Sequence, residues 1–212
     1  MSKKMMLLAL AVVSAAAFAL PAGASAAELH LTNVSKFSGT FNGGTLTAKE
    51  EPTITCDGPN HVEGTVSAGG TTGTISLDYT NCRAITFFEC HTAGGPEGTI
   101  KTAGTFHFIT INAKPGVLVT PEHTTITCTG IAKKVTVTGN VIGTITKPAC
   151  GGSSNEMTIS FNSNNTQTQE HKSYTGVSYN LTSETEGSGI IKEAGLTSVA
   201  TVTSAVGTLD CT

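Results

Sequence analysis

The sequence predicts an all-β fold, a disulfide-stabilised antiparallel β-sandwich, and three observations carry that expectation. Apolar and polar residues alternate with a period of two along much of the chain, roughly one residue in six is Thr, and 24 Gly recur with Pro and Asn between the alternating segments. A period of two puts every second side chain on one face of a strand. Thr suits a pleated surface, whereas Gly, Pro and Asn supply turn conformations. With 38% hydrophobic and 13% charged residues, the 212-residue chain is too apolar to be disordered.

The chain begins with Lys3 and Lys4, an apolar run over residues 5–20 and a small-residue exit, Ala24-Ser25-Ala26. This is the layout of a secretory signal peptide, and the run is shorter than the roughly 20 residues that span a bilayer. Cleavage after Ala26 is expected, with residues 27–212 as one exported β-sandwich domain; two small β-units divided near 115–122 are the alternative. Losing residues 1–26 removes two Lys and no acid, so the net charge moves from −3 to −5. With Lys133-Lys134 as the adjacent basic pair of that product, a nucleic-acid partner is not expected. Nor is a membrane span expected after cleavage.

Residues 29–31 form the first expected strand. Val62, Gly64, Val66 and Ala68 then share one face against Glu63, Thr65 and Ser67; Gly73, Ile75, Leu77 and Tyr79 oppose Thr72, Thr74, Ser76 and Asp78. Gly69-Gly70 between them suits a hairpin turn. Strands at 105–112 and 117–120 flank a turn at Pro115-Gly116. Val135, Val137, Val141 and Ile145 alternate with Thr136, Thr138, Asn140 and Thr144, and strands at 157–161, 177–182 and 199–209 complete the set. Residues 151–154, 162–173 and 184–191 read as loops, and 192–195 as a single turn. One-sided alternation leaves each sheet with a face to hide, and two packed sheets are the economical solution. Thr53-Ile54-Thr55-Cys56-Asp57-Gly58 is echoed by Thr125-Ile126-Thr127-Cys128-Thr129-Gly130, so a duplicated β-unit and a shared composition both remain open.

An exported chain with Cys56, Cys82, Cys90, Cys128, Cys150 and Cys211 reads as a disulfide framework. Cys82 and Cys90 bracket a short segment whose ends could meet across a hairpin. Cys56 and Cys128 each close Thr-Ile-Thr-Cys and could bridge facing strands, which leaves Cys150 with Cys211. A rival scheme joins Cys56 to Cys82, Cys128 to Cys150 and Cys90 to Cys211. No Cys-x-x-Cys spacing supports a zinc or redox site.

The signal peptide, Ile54-Thr55-Cys56, Thr80-Asn81-Cys82 with Cys90 soon after, Glu97-Gly98-Thr99-Ile100-Lys101-Thr102, Ile126-Thr127-Cys128, the stretch from Val135 to Gly143 and Glu193-Ala194-Gly195-Leu196-Thr197 together resemble a group of uncharacterised secreted β-rich proteins of high-GC Gram-positive soil bacteria. The resemblance spans most of the exported chain. It implies export and a β-rich fold, shares the first four cysteines but not Cys150 or Cys211, and so gives a second reason to pair those two. It carries no activity and no site residue.

Catalytic patterns are missing. There is no Gly-x-Ser-x-Gly, no His-Glu-x-x-His and no Asp-x-Asp-x-Asp-Gly loop. Glu50, Glu51, Glu63, Glu89, Glu97 and Glu122 are available for carboxylate chemistry but read as solvated surface. His61 and Glu63 share a strand face, Glu122-His123 and Glu170-His171 are adjacent pairs, and His107 reads as solvent-facing between Phe106 and Phe108. Sugar stacking is disfavoured without Trp, and Tyr79 and Tyr179 have core parity. No catalytic residue, metal set or cofactor is expected. The sequence reading is a non-enzymatic exported protein that works through its surface on an extracellular or cell-envelope partner; a carboxylate-based hydrolase and a small-ligand or metal carrier are the alternatives.

Overall fold

The computed structural model describes residues 29–147, 154–205 and 208–211. The expected signal peptide and Cys150 lie outside them. Thirteen strands form one antiparallel sheet that curls into a ring. Its logic is clearest as eight columns. Three are single strands of 13 residues: β2 (Lys36–Ala48), β3 (Ile54–Val66) and β16 (Ile191–Thr203). Five are pairs stacked end to end: β4 (Thr72–Tyr79) with β5 (Cys82–Ala84), β7 (Ile100–Ile111) with β6 (Phe88–Thr92), β8 (Lys114–Pro121) with β9 (Thr124–Cys128), β11 (Val141–Lys147) with β10 (Ile131–Gly139), and β12 (Glu156–Phe161) with β15 (Leu181–Thr185). Each column pairs with the one before it in the chain, and β16 pairs back onto β2 along Ala194↔Ala48 to Thr203↔Ser38. The chain therefore runs up and down around the ring, and closure removes the exposed edges that an open sheet would present. Because five columns are interrupted, this is not a regular barrel.

The two-sheet sandwich expected from the alternation is replaced by a single sheet hiding its apolar face from itself. Glycines on the inner face make the curvature possible. A Cβ on Gly44, Gly64, Gly73 or Gly143 would overlap the ring of Tyr79, Phe37, Phe106 or Phe161 respectively. Aromatic side chains thus occupy the space over bare backbone, on the adjacent strand for Phe37, Phe106 and Phe161 and two strands away for Tyr79. Phe37 meets Phe106 edge-on at 5.7 Å, and Phe41 meets Tyr79 edge-on at 4.9 Å, the edge-to-face geometry that ring quadrupoles favour. One cluster of buried apolar residues runs from Leu29 to Val202.

The interruptions keep their backbone groups bonded, as burial requires. Where β4 gives way to β5, the Thr80 amide donates to Asn60 Oδ1 at 2.7 Å and Gly58 N–H donates to Thr80 O at 3.1 Å. At the β10/β11 break, Asn140 N–H donates to Asn180 O at 3.0 Å. Outside the ring, β1 (Leu29–Thr32) pairs with β17 (Thr208–Cys211), burying Leu29 and Leu31 beside the β3–β4 turn, where Leu31 N–H donates to Gly70 O. A small hairpin, β13 (Ser173–Tyr174) with β14 (Val177–Ser178), leaves the segment between β12 and β15.

Most expected strands form, with instructive differences. β2 was hidden in the sequence because Phe37, Gly39 and Phe41 face inward and a bulge between Asn42 and Gly44 then shifts the inward set to Gly44, Leu46 and Ala48. Pro115-Gly116 lies inside β8, and the turn is made by Asn112 and Ala113 at positive φ. Residues 192–195, expected as a turn, belong to β16. Tyr79 is buried, whereas Tyr179 sits half-buried outside any strand. Replacing Gly73 by Ala would drive a methyl group into Thr65 O and the Phe106 ring. Overpacking of this kind costs about 1–3 kcal/mol; urea unfolding of Gly73→Ala should show it as a lower midpoint with an unchanged slope.

Candidate functional site

The six cysteines were the site residues expected from sequence, and four of them lie on inward faces in one row across β3, β5, β6 and β9. Cys56 is directly opposite Cys82, and Cys90 is directly opposite Cys128. Those pairs are the disulfides, with Cα separations of 3.9 and 4.0 Å. The expected Cys56–Cys128 and Cys82–Cys90 bonds are thereby overturned. In a row of four strands Cys56 and Cys128 stand about 14 Å apart at the usual strand spacing, beyond disulfide reach. Cys56–Cys82 of the rival scheme forms, but its Cys128–Cys150 and Cys90–Cys211 bonds are ruled out by the Cys90–Cys128 bridge. The expected Cys150–Cys211 pair lies outside the described residues, because Cys150 does. Two buried disulfides indicate folding in an oxidising compartment.

The interior offers little room. All eight columns line one apolar void at mid-height, between Leu46, Leu77, Tyr79, Val119, Ile126 and Val141, and its volume is about 90 Å³. Small-molecule pockets usually measure about 300–1,000 Å³. Thr102 and Thr124 reach the void but share a hydrogen bond of 2.7 Å, and burial pushes the Tyr79 phenol well above its ordinary pKa. Beyond the void, Ser183 and Thr185 of β15 are buried with hydroxyls that have no partner among the described residues. Opposite Ser183, Lys192 is bound 3.0 Å from Glu51 Oε1.

The larger concavity is on the outside. A polar groove of about 630 Å³ crosses β16, β2, β3 and β4, lined by Thr201, Ser38, Thr40, His61, Glu63 and Asp78 among others. Strand register aligns Thr201, Thr40, His61 and Asp78 in one row. Glu63 lies one step along β3 on the same face. His61 and Glu63 are exposed, and Asp78 Oδ2 is held by Lys101 Nζ at 3.1 Å. The sequence singled out His61 and Glu63 as sharing a face; Asp78 and Lys101 join them only through register. His107 is half-buried on the outer face between the buried Phe106 and Phe108. Among the described residues no group of three or more His, Cys, Asp or Glu is placed to hold a metal, and no helix is long and apolar enough to cross a membrane.

The end of the ring away from β1 and β17 carries a feature missed in the sequence. The β5–β6 turn is closed by Phe87 N–H donating to Ala84 O at 3.3 Å, with Ile85 at φ 52° and Thr86 at φ 63°. Such turns normally carry Asn-Gly, and each left-handed residue that is not glycine costs about 1–2 kcal/mol. Ile85 is 54% exposed and Phe87 80%; across the ring, the β15–β16 turn exposes Ile190 at 59% and Ile191 at 68%. Comparison with known protein-family models, curated proteins and solved structures finds no match.

Non-reducing peptide mapping should recover Cys56 linked to Cys82 and Cys90 linked to Cys128. Replacing either pair by Ala should lower stability by about 3–4 kcal/mol, from the loops of 26 and 38 residues that the bonds close.

Proposed function

We propose that the chain is an exported, non-enzymatic binding protein that works through its outer surface, with the groove over β16, β2, β3 and β4 as the contact site for an extracellular or cell-envelope partner. The supporting observation is the contrast between the inside and outside of the ring. The interior void is too small for an ordinary ligand, whereas the outer groove is wide, polar and open. Its chemistry is hydroxyl groups from Ser38, Thr40 and Thr201 beside the carboxylates of Glu63 and Asp78 and the imidazole of His61. That set suits a polymer rich in hydroxyl and amino groups, recognised by hydrogen bonds and charge rather than by stacking. Export is supported by the N-terminal pattern and the two disulfides.

One observation favours a second reading, a hydrolase: Glu63 and Asp78 flank the same groove, and paired carboxylates are the equipment of glycoside cleavage. Against it, Asp78 is engaged by Lys101 and the groove does not exclude water, which general acid catalysis in a closed site relies on. Incubation with insoluble cell-wall polymers distinguishes the two. Retention of the protein on such a polymer, cut at least tenfold in His61→Ala/Glu63→Gln/Asp78→Asn with its melting temperature unchanged, is the expected result. Release of soluble sugar by the wild type, abolished in Glu63→Gln, would replace the binding reading with the enzymatic one.

A further inference from the structure

We infer that the end of the ring bearing the β5–β6 and β15–β16 turns seats on an uncharged lipid surface, with Phe87 and Ile85 inserted at one point and Ile190 and Ile191 at another. Both turns lie at the same end, and the columns they join stand on opposite sides of the ring. Two separate apolar points on opposite sides of one rim touch a flat, extended surface together, whereas an apolar pocket in a partner protein would receive one of them.

The three-residue turn between Ala84 and Phe88 holds Ile85 and Thr86 at positive φ, against the preference of branched side chains, and it turns Ile85 and Phe87 outward. The hairpin that carries this turn is also held rigidly. Cys82 ties one arm to β3 and Cys90 ties the other to β9, so the tip cannot fold back over the core.

Charge selects the kind of lipid. Around this end Lys192 is engaged by Glu51 and approached by Glu50, while Lys134 lies 3.8 Å from Glu186. Arg83 stands opposite the acid Glu89 in the strand register, and its guanidinium donates to Asn81 Oδ1 at 2.6 Å. Arg83 and the exposed Lys49 are single cations on separate turns, and among the described residues of this end they form no basic cluster to draw it onto anionic headgroups. The apolar side chains must supply the attraction, and a zwitterionic bilayer is the surface they fit.

The absence of Trp from the sequence makes the test direct, because Phe87→Trp introduces a single indole fluorophore at the tip. With phosphatidylcholine vesicles the emission of this variant should shift to the blue and be quenched by lipids brominated near the headgroup. Co-sedimentation of the unlabelled chain with the same vesicles should fall at least tenfold in Phe87→Ser/Ile191→Ser. The apolar run at residues 5–20 is common to all variants, so the difference between them reports the tips alone. Three outcomes overturn the inference: indole emission of Phe87→Trp indifferent to vesicles, equal co-sedimentation of the wild type and the double variant, or a blue shift that follows protein concentration without lipid and so marks self-association. Binding that requires phosphatidylglycerol and disappears in salt would overturn it too, by making charge the driving force. Variants of His61, Glu63 and Asp78 should leave vesicle binding unchanged, which separates this surface from the outer groove.

Discussion

The pairing of β2 with β16 is the interaction on which the rest of the structure depends. It joins residues 38–48 to residues 194–203, and without it the eight columns would be an open sheet with two long edges and a solvent-exposed apolar face. Closure turns a one-sided apolar pattern into a sealed interior. It also makes the fold strongly non-local: the first and last columns must meet before the curvature of those between them is rewarded, a loop-closure cost characteristic of β topologies. Both bridges lie to one side of that seam, on β3, β5, β6 and β9, where most of the strands are short and have few ladder hydrogen bonds. The covalent links thus reinforce the part of the ring that pairing alone holds least.

Curvature is then a matter of volume. Eight columns leave an interior only wide enough for side chains, and this chain fills it with a few aromatic rings laid over glycine. The high glycine content therefore has two uses. Some glycines make turns, but Gly44, Gly64, Gly73 and Gly143 are spaces into which Tyr79, Phe37, Phe106 and Phe161 fit. The abundant Thr mostly occupies the other face, where cross-strand hydroxyls bond to each other, as between Thr65 and Thr74 at 2.6 Å and Thr138 and Thr182 at 2.9 Å. Those pairs help define strand register from outside.

How much of this was legible in the sequence follows from what period-two patterns encode. Alternation reports which face of a strand is buried, so β4, the outward threonines and the buried Tyr79 could be read directly. It does not report what the buried face packs against, and a curled sheet and a sandwich share that pattern. Gly-Gly and a bulge concealed β2, the first column of the ring, because a shifted parity looks like no parity. The cysteine partners were also beyond local reading. Identical Thr-Ile-Thr-Cys segments suggested facing strands, yet only the column order places Cys82 and Cys90 between Cys56 and Cys128. The outer groove was half visible, as His61 and Glu63 on one strand; Asp78 required register.

The closed, covalently stapled ring has a nearly filled interior, and its two prominent surfaces differ in kind. The groove is polar, lies on the long columns that carry the seam, and presents side chains whose positions are fixed by ladder pairing. The apolar turns lie at the end opposite the β1–β17 pair, on the hairpin that both disulfides brace and on the turn leading into β16. Left-handed Ile85 and Thr86 work against stability at that tip, and nothing in the packing of the core requires them there: the ladder ends at Ala84 and Phe88, and an Asn-Gly turn would close the same hairpin with less strain. Strain kept where the fold does not need it, on a hairpin braced from both sides, fits the inferred role of the tip, with the ring as the scaffold that holds it in place.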